Sequence, residues 1–132
     1  MRQELTDRVN AIEECYEFML AYAAQGLPGD SGSQSGGQLR EFLRRAAAAL
    51  TGLADTYAAE IRDTTAPYQA FLAVLNRDAN DALAAIELVR AQPALSSQLI
   101  DNLNASIHVR ALLTDIFLID EVLKGHSSAV AE

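Results

Sequence analysis

Leu39, Leu43, Ala46, Leu50, Leu53, Tyr57 and Ile61 succeed one another at steps of four or three. Only a helix of about 3.6 residues per turn brings such positions to one side. The same spacing recurs along the chain. Between Gln3 and Gln25 it picks out Leu5, Val9, Ile12, Tyr16, Met19 and Ala23, widened by Ala11, Cys15, Phe18 and Tyr22, with Glu13, Glu14 and Glu17 opposite. After Pro67 it picks out Tyr68, Leu72, Leu75, Ala79, Ala82, Ile86 and Val89. The last block opens with Leu99, Ile100, Leu103 and Ile107. No stretch alternates apolar and polar residues as a half-buried strand does. Isolated helices of this length are marginal in water, so the stripes must be buried against one another. The predicted class is therefore all-α, an antiparallel four-helix bundle in up-down-up-down order.

Breaks in the pattern set the boundaries. Leu27-Pro28-Gly29 ends the first block, and residues 28–37, PGDSGSQSGG, read as a flexible linker. Ser35 and Gln38 have the spacing of a capping box. Thr64-Thr65-Ala66-Pro67 and Gln92-Pro93 interrupt the chain again, and Ser96 or Ser97 can cap the last helix. Gly125 after Lys124 is a natural stop. The expected helices are about 3–25, 38–63, 66–91 and 96–124 in one domain, 1–125, with a frayed tail at 126–132.

Composition narrows the function. A chain of 132 residues, half of them hydrophobic, can bury a core without a disulfide or metal. A net charge of -8 repels phosphate backbones, so nucleic acid is not an expected partner. Arg40, Arg44 and Arg45 share a helix with Glu41, which reads as a salt-bridged face. One cysteine, Cys15, rules out an intrachain disulfide and suits a reducing compartment. The opening residues, MRQELTDRVN, lack the apolar centre of a signal peptide. The longest uncharged run, 64–76, falls short of the roughly 20 apolar residues that span a bilayer. A cytoplasmic location with no membrane partner is the expectation.

Catalytic and cofactor patterns are missing. Carboxylate-bridged di-iron bundles need Glu-x-x-His pairs, yet Ala105 and Leu123 stand three residues before His108 and His126. One cysteine excludes a C-x-x-C-H haem attachment, and Cys and His alone cannot make a zinc site. No glycine-rich phosphate loop occurs. Neither histidine has the lysine-then-glycine context found downstream of a phosphotransfer histidine. Cys15 lies on the apolar flank of its helix, where a thiol is a packing residue. No catalytic residue, cofactor or metal is expected.

Two features point elsewhere. Val109, Leu112, Leu113, Ile116, Phe117, Leu118, Ile119, Val122 and Leu123 surround most of the last helix. A helix that is apolar nearly all round is covered on more than one side. Either the helix sits centrally within one chain or it faces a second copy; the expectation is the second, a homodimer whose interface holds Leu112, Ile116, Phe117, Ile119 and Leu123. The second feature is polar. Asp120 lies between Leu113, Ile116 and Leu123, and Asp115 among Leu118, Ile119 and Val122. A buried carboxylate must be paired or protonated. At the end of the bundle where Asp120 lies, Arg8, Tyr57, Glu60 and Tyr68 are expected to join it in one polar cluster. That cluster is either a ligand or partner site or an ion pair that fixes helix register.

The functional expectation is thus a non-catalytic cytoplasmic interaction protein, an adaptor, accessory subunit or regulator, acting as a homodimer. The alternative is a sensor or enzyme that holds a small molecule between its helices, lined by Tyr16, Phe18, Tyr22, Tyr57, Tyr68, Phe71 and Phe117.

Overall fold

The computed structural model describes the backbone of residues 2–131 and the side chains of 3–125. The last helix runs past Gly125, which does not take the left-handed conformation of a helix stop, to Ala131, so the expected stop and the frayed tail are corrected. Among these residues the chain is helical, without strands. The elements are α1 (Arg2–Ala23), α2 (Gln34–Leu50), α3 (Leu53–Glu60), α4 (Ala66–Arg90), α5 (Ser97–Ala105) and α6 (Ile107–Ala131). The four-rod expectation is corrected to six helices, because two of the expected rods are each broken in two.

The first break arises at Gly52. It takes φ +74°, a left-handed conformation that a side chain disfavours, and it comes after Thr51, which caps α2 in an extended conformation. The apolar seam survives the break: Leu39, Leu43, Ala46, Leu50, Leu53 and Tyr57 are all buried. Periodicity alone therefore reads straight through it. The second break is at Ser106, whose extended backbone ends α5 and whose hydroxyl accepts from the Val109 amide at 3.5 Å. Serine favours this cap role over a helix interior.

The other connections differ less. Ser96 caps α5, its hydroxyl accepting from Leu99 N–H at 3.0 Å. Pro67 lies in the first turn of α4, where its missing N–H is harmless. At α2 the cap is Ser33, accepting from Gly36 N–H at 3.0 Å, and not Ser35. Hence α2 begins inside the stretch read as linker. Gly36 is buried there, and a Cβ on it would fall on the Asp30 carbonyl. Only glycine fits so close an approach.

Packing unites the stripes in one core. Helix α1 packs on α2, α3 and α5, while α4 packs on α2, α3, α5 and α6. Tyr22, Tyr57, Met19, Leu39, Leu43, Leu75, Ile100, Leu112 and Ile116 are among the large side chains fully enclosed. Ala79 and Ala82 are buried on α4, small residues that let a neighbouring helix approach. Phe18 stacks on Phe42 with ring centroids 4.7 Å apart, joining α1 to α2. No described helix is long and apolar enough to cross a membrane.

Candidate functional site

The expected polar cluster forms only in part. Tyr57, wholly buried on α3, donates its hydroxyl to Asp120 Oδ1 on α6 at 2.7 Å. Burial pushes the Tyr57 phenol up, and the bond to Asp120 adds to the shift. Burial also raises the Asp120 carboxyl, while the Tyr57 hydroxyl opposes that rise. Glu13 on α1 completes the group: burial raises its carboxyl, and the charge of Asp120 raises it further. The neighbourhood is therefore acidic.

Arg8 is not the cation that answers it. Its guanidinium donates to the carbonyls of Ala49 and Thr51 at 3.0 and 2.6 Å and to Glu4 at 3.1 Å. Helix ends leave carbonyls unpaired, and an arginine fork suits them. Arg8 is thus a cap on α2. Tyr68 is half-buried on the first turn of α4, and Glu60 closes α3; the group that bonds Asp120 is Tyr57. What remains is the triad Tyr57, Asp120 and Glu13. In Tyr57→Phe, Asp120 loses its donor. A bond to a charged group contributes about 1.5–3 kcal/mol, and Asp120 is partly solvated, so the expected loss is about 1.5 kcal/mol in urea unfolding. Unchanged stability would mean that the bond contributes nothing.

Two further polar groups were not legible in the sequence. At the far end of α1, Asp30 ties three segments together. Its carboxylate accepts from Leu95 N–H at 2.7 Å and from the Arg40 guanidinium. Arg40 also donates to the carbonyls of Gln92 at 3.1 Å and Arg90 at 3.4 Å. The Arg40 bond is the first cause that holds the Asp30 carboxyl below the usual range. Beside them Ser97 accepts from Leu27 N–H at 2.8 Å and donates to the Tyr22 carbonyl at 2.7 Å, while the Tyr22 hydroxyl donates to Leu95 O at 2.7 Å. The connection expected to be flexible is thus bonded to the opposite loop.

The other group is a pair of acids. Asp115 on α6 faces Asp78 on α4. Burial, then a hydrogen bond with Asp78 and the charge of Asp78, push the Asp115 carboxyl up to about 7. Apart from Asp78, no partner reaches its enclosed Oδ2 among the described residues. A carboxyl that faces another negative charge keeps its proton to higher pH.

Four of the aromatics named for a ligand site have separate surroundings. Tyr22 bonds at Leu95, Tyr57 bonds at Asp120, Phe18 stacks on Phe42, and Phe117 is exposed. An open cavity of about 530 Å³ lies instead between α2 and α4, lined by Gly37, Arg40, Glu41, Arg44, Glu87, Arg90 and Ala91. Arg44 pairs with Glu41, and Arg90 with Glu87. Arg45 pairs with Glu14. These charges satisfy one another. Burial pushes the enclosed Cys15 thiol up to about 12, so it stays protonated. His108 is exposed. Among the described residues no three His, Cys, Asp or Glu gather as metal ligands.

The expected dimer interface divides between inside and outside. Leu112, Ile116 and Ile119 are buried in the chain's own core, and Leu123 is half-buried against it. A side chain already removed from water has no more apolar surface to bury against a partner. Leu112, Ile116 and Ile119 thus belong to the fold. Phe117 is 58% exposed, and with it stand Leu118 at 55%, Val122 at 40% and Ile107 at 74%. Leu118 and Val122 carry the same apolar character in the sequence. What the pattern left open was which angular half of α6 faces inward.

Compared with protein-family models, curated proteins and solved structures, the chain finds no match.

Proposed function

We propose that this chain is a non-catalytic helical interaction protein that works as a homodimer through the outward face of α6. One observation carries the reading: while one face of α6 fills the core, its other face holds Ile107, Phe117, Leu118 and Val122 in water. Exposed apolar patches of this kind mark interaction surfaces.

A second copy fits this face despite the overall charge. Two chains of net charge -8 repel each other, so contact is least opposed where the local charges balance. The outward face carries Arg110 and Glu121, both exposed and without an ion pair among the described residues. Each half-exposed side chain has about 1 kcal/mol left to gain on full burial. That places the dimer among weak, concentration-dependent complexes and not among obligate ones.

Sedimentation equilibrium from micromolar to millimolar protein tests the reading. The natural chain is expected to dimerise, and Leu118→Glu to stay monomeric with its helix content intact. A natural chain that remains monomeric throughout would remove the proposal.

A further inference from the structure

We infer that the two copies pair with their α6 helices antiparallel, so that Arg110 of each copy meets Glu121 of the other; this rests on the homodimer reading above. Arg110 and Glu121 are eleven residues apart. Eleven residues carry a helix through three turns and about 20° more, so both side chains lie along nearly one line. They are about 16 Å apart along the axis. Ile107, Thr114 and Leu118 run beside that line, and Val122 borders the same face.

The chemistry then selects one orientation. A parallel pair would set Arg110 against Arg110 and Glu121 against Glu121, two like-charge contacts. An antiparallel pair, with its two-fold axis level with residues 115 and 116, sets each arginine against a glutamate. Both ends of the contact are satisfied by a single register, as a self-complementary two-fold interface requires. Thr114 and Leu118 then approach their counterparts near the axis, with Phe117 alongside. Ile107 reaches the level of Lys124 and Gly125, where no side chain stands on the glycine and nothing lies within 4 Å of where a Cβ would be.

Charge reversal tests the register. Sedimentation equilibrium of the full chain would compare Arg110→Glu, Glu121→Arg and the double variant with the natural protein. Both positions are exposed, so the fold should persist, and circular dichroism checks that. Each single reversal creates two like-charge contacts. Exposed pairs contribute about 0.2–1 kcal/mol each, so a single reversal should weaken the dimer about tenfold. The double variant should return to within about twofold of the natural chain. Single variants that dimerise unchanged, or a double variant no better than the singles, would overturn the register. If Leu118→Glu still abolishes pairing in that case, the docking face stands. A natural chain that never dimerises overturns both.

Discussion

Arg40→Ala is expected to lower stability by about 2–3 kcal/mol, below the range for breaking a fully buried pair because the guanidinium is 38% exposed. The Asp30 carboxylate, only 11% exposed, would keep its Leu95 amide but lose its cation. The carbonyls of Arg90 and Gln92, at the end of α4, would lose a donor too. For a chain of this size the loss is a fall of about 8 °C in Tm. Arg40→Lys should fall between, since an ammonium keeps the charge but cannot fork between carboxylate and carbonyls. The pH dependence gives a second check. The folded Asp30 carboxyl lies below its unfolded value of about 3.9, so its stabilisation is present above that pH. It is lost as pH falls through the folded value. Arg40→Ala should flatten this acid limb. A variant as stable as the natural chain, with the same acid limb, would show that Asp30 is satisfied without the arginine.

Asp115→Asn is expected to act in the opposite direction. The folded Asp115 carboxyl titrates near 7, far above its unfolded value of about 3.9. Between those limits the folded chain holds a proton that the unfolded chain has released. Stability therefore falls as pH rises from about 4 to about 7 and levels off above. The charged groups flanking Asp78 on α4 are Arg77 and Asp81, both exposed, and α5 offers Asp101, also exposed. Asparagine resembles the protonated acid and can donate to Asp78. The gain is modest because the group is only partly enclosed and is screened by water. The variant should be about 1–2 kcal/mol more stable than the natural chain at pH 8 and about equal to it at pH 4. Urea unfolding at both values reads the difference. Parallel pH profiles for the two proteins would sink the assignment.

The helical class was legible because apolar residues repeat at helical spacing through most of the chain. The two breaks were harder to see. Leu50 and Leu53 keep the four-three step across Thr51 and Gly52, so the pattern runs on where the backbone does not. Ser106 interrupts the last block without a glycine or proline to announce it. The candidate cluster was half legible. Tyr57 and Asp120 meet because each lies on an inward face, and faces can be read from periodicity. Arg8 goes elsewhere because the carbonyls at the end of α2 compete for it, and those appear only once α2 is known to stop at Leu50. The partners Asp30 with Arg40, and Asp78 with Asp115, depend on how loops and helices are juxtaposed. No spacing in one chain encodes that.

The turn before α2 also limits how this chain can vary over time. At position 36 a single added carbon collides with backbone, whereas at position 37 it would meet open space. Two identical neighbours thus stand under opposite constraints. Descendants that keep the turn must retain a bare methylene at the first, while the second is free to drift to almost any residue, alanine first of all because it also strengthens the helix.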